Sequence, residues 1–460
     1  MTDCLFIPTT FLSLYKQEDR IKMLDLQIEY VQSKIRKETN SLFLVTSDDS
    51  VSYDLDQERS EMLQKFLDAI KDVNSEIKIY LTVDNQCSTW NLKGLSHVQD
   101  ILWIDHFLFF VYYKVICQKL CDYNRNWHPS SQNILILILR ATAPQRLGLF
   151  YRLVNSPIAG RLKWSLPNAE QYEEYFTYLP EIDDLSGVVD FMMKYQRRLD
   201  DIDNWYDGPI PFDPKVYSDV LFQIVSATCF SSGLPKHSHL IEEKGWLPIV
   251  NHLPFVLAAS EKSSAMLERM GFKTFNKFFK IPNYDDPDSD DYLRLPDGTL
   301  ISDTLPPNRV HVSRLELDNF SDFYDAVKDN HWPDISSWNE IGKLTSEQYQ
   351  EIFERLEDIR TESGRLEAVV ENTISFAQNI QENAEEIKAM IDHNFQRFIE
   401  LGEENLNKIE NFLVKNNVHL SLTEVCCGLL DLRSFVNMID EVFSKMGLSR
   451  MRGGHNDHSN

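Results

Sequence analysis

The first part of the chain alternates short, continuous apolar runs with longer charged segments whose apolar residues recur at three- and four-residue steps. LFLVTSDDS (42–50), IKIYLTVDNQ (77–86) and NILILILRATAP (133–144) are apolar runs closed by small or polar residues, the form taken by strands covered on both faces. ILWIDHFLFFVYY (101–113) holds one or two more. Residues 15–39 place Ile21, Leu24, Ile28, Val31 and Ile35 at helical spacing. QERSEMLQKFLDAIKDV (57–73) does the same with Leu63, Phe66, Leu67 and Ile70, and LGLFYRLVN (147–155) reads as a helix. A stretch rich in Tyr, Asp, Pro and Glu (167–215) interrupts the pattern. It then resumes: SDVLFQIVSATCF (218–230) is strand-like, HLIEEKGWLPIVNHL (239–253) helix-like, PFVLAAS (254–260) strand-like, and SSAMLERMGF (263–272) a helix stopped by Gly271. This order predicts an α/β protein with mainly parallel sheets.

The texture changes at 345–413, where proline is absent. Ile352, Leu356, Ile359, Ser363, Leu366, Val370, Thr373, Ala377, Ile380, Ala384, Ile387, Ile391, Asn394 and Phe398 follow one another at steps of three and four. That is a coiled-coil seam, about 100 Å long if unbroken, which Ser363, Thr373 and Asn394 weaken. A single apolar stripe needs a partner. Self-association is the first expectation, and a hairpin bent at Gly402 the second. LSLTEVCCGLLDLRSFVNMIDEVF (420–443) is a further amphipathic helix, suited to the returning arm.

Composition narrows the function classes. A chain of 460 residues, 43% hydrophobic and 12% aromatic, is long and apolar enough for a large core. Its 46 basic against 71 acidic residues give a net charge of −25, which repels nucleic acid and anionic membrane. The seven cysteines are odd in number and scattered, a poor disulfide framework. The opening MTDCLFIPTTFLSLYKQEDR has no basic segment before its apolar residues, so no signal peptide is expected. No uncharged apolar run is long enough to span a membrane. A reduced, cytoplasmic protein is the expectation, in the host cytoplasm if the source is viral.

Candidate chemistry lies where strands lead into helices. Arg140 and Arg146 follow the run at 133–139, where a guanidinium can grip a phosphate; on this segment alone a solvated arginine at a helix start is the preferred reading. Glu243 and Lys244 stand at the mouth of the 239–253 helix, where a lysine and free N–H groups suit a diphosphate; the alternative is the solvated edge of a core helix. For proton abstraction Asp48, Asp49, Asp84, Asp105 and His106 lie at strand ends, with Asp105 and His106 foremost because the preceding ILWI implies burial. NYDDPDSDDY (283–292) and RRLDDIDNWYDGP (197–209) read as solvated acidic loops rather than metal clamps. His237 and His239 lack a third ligand, so no metal site is expected.

Several of these pieces form a set. RATAPQRLGLFYRLVNSPIAGRLKWSLP, IEEKGWLPIVNHLPFVLAAS, AMLERMGFKTFNKFF and NYDDPD, with FYDAVKDNHWPDI at the end, resemble a group of glycosyltransferase-like proteins, many encoded by large tailed phages and giant viruses. That group is similar in turn to fucosyltransferases. The likeness spans 130–335. It implies a two-lobed GT-B fold, a GDP-sugar donor such as GDP-fucose, and an inverting transfer without metal. It also implies that Glu243 and Lys244 contact the donor. There are departures. Glu242 and Gly245 replace the threonines that flank the pair, Leu247 replaces a lysine, Ala227 a glutamate, and the arginines near 140 are reduced to Arg140 and Arg146.

The expected fold is therefore two Rossmann-like lobes, GT-B-like, followed by a long helical, coiled-coil C-terminal region. The layout is an acceptor-side lobe (1–165), a connector (166–215), a nucleotide-sugar lobe (216–335), a coiled-coil helix (345–413), a C-terminal helix (414–448) and a tail (449–460). Expected partners are a nucleotide sugar as substrate rather than cofactor, a glycan, protein or small-molecule acceptor, and further copies of the chain through 345–413. The alternative function is a non-catalytic structural or interaction protein, such as a virion or assembly component, that reuses the fold.

Overall fold

A computed structural model describes residues 4–9, 12, 17–36, 38–46, 57–84, 92–119, 126–138, 144–166, 185–196, 214–227, 230, 241–301 and 346–430. The chain opens with β1 (Cys4–Pro8), α1 (Gln17–Lys34), β2 (Ser41–Val45), α2 (Gln57–Val73), β3 (Lys78–Asp84) and β4 (Val98–Ile104). These strands form a parallel sheet in the order β1-β2-β3-β4. The alternation within β2 explains its full burial. Leu42 and Leu44 join a core with Leu63, Phe66 and Leu67 of α2, while Phe43 and Val45 join the main core on the other side.

α3 (His106–Tyr112) follows β4 at once and runs on into a π-turn, Tyr113–Cys117. The second half of the apolar run at 101–113 is thus a helix, not another strand. Then come β5 (Asn133–Leu137), α4 (Pro144–Val154), β6 (Leu162–Ser165), α5 (Leu185–Tyr195), α6 (Pro214–Tyr217), β7 (Val220–Ser226), α7 (Glu243–Val250), β8 (Phe255–Ala258) and α8 (Ser263–Arg269). Gly271, at φ +91°, ends α8 as expected. The second parallel sheet has the order β6-β5-β7-β8. This moves the division between lobes. β5 and β6, placed in the first lobe by the 1–165 boundary, hydrogen-bond into the second sheet, so the break lies between β4 and β5. A sequence pattern marks strands but not their neighbours.

The C-terminal region holds two long helices, α9 (Ser346–Asn379) and α10 (Ala384–Asn416), followed by α11 (Leu422–Leu429); α9 packs on α4 and β8, and α10 on α3, β4 and α7. The bend between α9 and α10 falls at 380–383 and not at Gly402. Gly402 lies inside α10 for a steric reason: a Cβ there would come within 2.0 Å of the Tyr112 ring. The seam that predicted self-association is turned inward. Ser363, Leu366, Val370, Thr373, Ile380, Ile387, Ile391, Asn394 and Phe398 are buried within the chain itself. Phe412 meets Phe43 and Tyr80 of the first sheet at 6.2 and 5.4 Å, while Phe398 stands between Tyr112 of α3 and Trp246 of α7. One helix, α10, therefore touches both lobes.

The seam's polar positions and their neighbours recognise backbone. Asn372 accepts from the N–H of Ile281 (2.8 Å) and donates to its carbonyl (2.9 Å). Asn394 does the same at Lys273, at 2.7 and 2.9 Å. Asn405 accepts from the N–H of Asp105 at 3.1 Å. Each amide satisfies a peptide group that burial by a purely apolar helix would leave without a partner.

Candidate functional site

The strand order of the second sheet reverses at β5 and β7. β5 leads through α4 to β6 on one side, and β7 leads through α7 to β8 on the other. In open α/β sheets ligands bind at such a switch point, beyond the carboxyl ends of the strands. Arg146 in the first turn of α4 and Glu242–Lys244 at the start of α7 meet there. Arg146 donates through Nε to the carbonyl of Ala227, just past β7, at 3.1 Å. Its Nη2 lies 3.7 Å from Glu242 Oε2. The same Glu242 oxygen accepts from Lys244 Nζ at 3.0 Å, and Glu243 Oε1 lies 3.0 Å from that ammonium on another side. The Glu243 contact is an ion pair whose geometry falls short of a hydrogen bond.

Glu243 and Lys244 open α7, as expected of a helix mouth, and both are buried where a solvated edge was the alternative. All four side chains are at most 7% exposed. Among the described residues two cations face two carboxylates there. Glu242, which stands where the related pattern has threonine, is the bridging acid. Gly245 has a local reason of its own, since a Cβ there would lie 2.7 Å from Ile241. Arg140 lies outside the described residues.

The carboxyl ends of β7 and β8 are filled as well. Arg365, reaching in from α9 and 1% exposed, donates to the carbonyls of Phe230 (2.6 Å) and Ala259, with its guanidinium 4.4 Å from the centre of the Phe230 ring. Glu362 and Ser363 are buried on the same stretch of α9. Tyr284 donates to the carbonyl of Leu257 at 2.7 Å. Sequence reasoning missed Arg365. Arg365 falls between the seam positions Ser363 and Leu366, where a coiled coil ordinarily carries charge, so the pattern gave no signal for it.

The proposed bases are held in place by the C-terminal helices. Asp105 is buried at the start of α3, its N–H and carboxylate both bonded to Asn405. His106 is 6% exposed, its N–H donates to Asp84 at 2.8 Å, and its Nε2 lies 3.5 Å from the carbonyl of Leu429 in α11. Burial pushes its imidazole down to about 4. Asp84 is thereby a helix-start acceptor. Asp48 and Asp49 lie outside the described residues.

No family model, no curated protein and no solved structure matches the chain. The likeness to transferase lobes thus rests on the residues quoted above, and function is argued from geometry. Among the described residues no three His, Cys, Asp or Glu side chains are grouped to hold a metal ion. In the acidic loop at 283–292, Asp285 is buried and accepts from the N–H of Ser264 at 2.8 Å, Asp291 is held by Asn283 and Ser289, and Asp288 pairs with Lys262. The 197–209 loop and His237 and His239 lie outside the described residues. No described helix is long and apolar enough to cross a membrane.

Proposed function

We propose that this chain is a non-catalytic structural or interaction protein built on a transferase-like pair of α/β sheets, its donor position closed by its own side chains. The observation that carries this reading is the buried Lys244 ammonium, held between Glu242 and Glu243. A diphosphate arriving there would face two carboxylates and would have to displace them, leaving buried charge without its partner. Arg365 adds to the argument by occupying the strand ends where the base or ribose of a nucleotide would lie. Thermal denaturation with saturating GDP- and UDP-sugars tests it. No shift is expected. Stabilisation of about 2–3 kcal/mol, the effect of ligand at roughly a hundredfold excess over Kd, would overturn it.

A second reading has one observation in its favour: the starts of α4 and α7 converge on the switch point. On that reading the chain is a glycosyltransferase moving a sugar from a GDP-sugar such as GDP-fucose to a glycan, protein or small-molecule acceptor by metal-independent inversion. The same denaturation experiment separates the two.

A further inference from the structure

The two sheets share one apolar core. Phe43 and Ile104 of the first sheet, Ile136 and Phe222 of the second, and Phe398 and Phe412 of α10 belong to a single cluster of buried side chains. α3, which continues the first sheet, packs directly on α7 of the second, and α10 packs on both. Lobes that meet through a small polar contact move against each other, and a large apolar interface removes that freedom.

Each half of α10 grips a different lobe. In the first half Arg397 Nε donates to the carbonyl of Met270 at 2.8 Å, and His393 Nε2 lies 2.8 Å from the carbonyl of Gly271, both at the end of α8. Asn394 holds the N–H and carbonyl of Lys273 beside them. In the second half Asn405 holds the N–H of Asp105, and Lys415 and Asn416 meet the Asp100 carboxylate of β4 at 2.7 and 2.8 Å. The changeover falls at Phe398 and Gly402, where α10 lies against Tyr112 of α3. From His393 to Asn416 the helix rises about 35 Å. It contains no proline, and its one glycine, Gly402, is buried. Hinges form in loops and at the ends of elements, whereas this joint lies in the middle of an unbroken helix.

We infer that α10 is a strap that makes the two lobes one cooperative unit, so that the crevice between α3 and α7 opens only when the whole molecule unfolds. The strap follows from packing alone and is the same under either reading of the switch point. Hydrogen–deuterium exchange of the full chain along a urea series tests it. The N–H groups of Asp105 and Lys273 report on the two halves of the grip, and β3 and β7 report on the two sheets. In the parent all four are expected to lose protection at one urea concentration. Glu403→Pro breaks the helix ladder just past the changeover, at an exposed position. In that variant the midpoints of β3 and β7 are expected to move apart by about 1 M. Separate midpoints for β3 and β7 in the parent, exchange of Asp105 or Lys273 there well before the strands, or a single midpoint retained by Glu403→Pro would each overturn the proposal. If the proline variant does not fold, the parent series decides.

Discussion

Two sets of buried polar side chains hold this molecule together, and they do so differently. At the switch point Arg146, Glu242, Glu243 and Lys244 answer one another: charge meets charge within a few ångströms. Along α9 and α10 Asn372, Asn394 and Asn405 answer the lobes, each through one or two hydrogen bonds to the backbone of a segment far away in sequence. The ionic set fixes little beyond its own neighbourhood, because a buried ion group gives up solvation to gain attraction and comes out near balance. The amide set fixes position, because each amide fits only its own peptide group. The place of α9 and α10 on the lobes is thus specified by polar groups on a largely apolar seam, and the charges at the helix mouths are buried.

Breaking one member of each set distinguishes the two modes. Lys244→Met leaves two buried carboxylates sharing Arg146 and is expected to cost about 3–5 kcal/mol in urea unfolding. His106 gives the next effect, through pH. Its imidazole is depressed by burial to about 4, below the ordinary value of 6.5. Between those values the unfolded chain binds a proton that the folded chain does not, so this contribution is complete above about pH 6.5 and falls by about 3 kcal/mol as pH drops toward 4. His106→Gln should remove that part of the slope in paired melts at pH 7 and 4.5. Asn394→Leu strands the N–H and carbonyl of Lys273 and should cost about 2–3 kcal/mol. The loss should appear first as faster hydrogen exchange at 271–275, with protection of the α4–α7 interior unchanged. Gly402→Ala comes last, at about 1–3 kcal/mol from crowding against Tyr112, although alanine is the better helix former.

Much of the fold was legible in apolar periodicity. The bounds of α2 match the amphipathic segment, β3, β5, β7 and β8 fall inside the apolar runs, and β2 begins one residue before its run. What periodicity does not carry is adjacency. β5 and β6 read as a continuation of the first lobe because nothing in NILILILR or LKWS names β7 as a neighbour. β1 went unread because CLFIP is brief and sits beside the chain start. The seam was misjudged for a physical reason: a coiled-coil template treats Ser363, Thr373 and Asn394 as weaknesses, whereas Asn394 grips a peptide group more than a hundred residues away. At the candidate site the location of Glu243 and Lys244 was legible, and their closure was not. It depends on Glu242, which registered only as a departure from the threonine of the related pattern.

The account rests on the Lys244 cation being committed to its own carboxylates. A crystal structure of the protein soaked with GDP-fucose examines this directly. We predict that Lys244 stays between Glu242 and Glu243 and that no diphosphate density appears beyond β5 and β7. Phosphate oxygens on Lys244 and Arg146, with the two carboxylates swung aside, would contradict it.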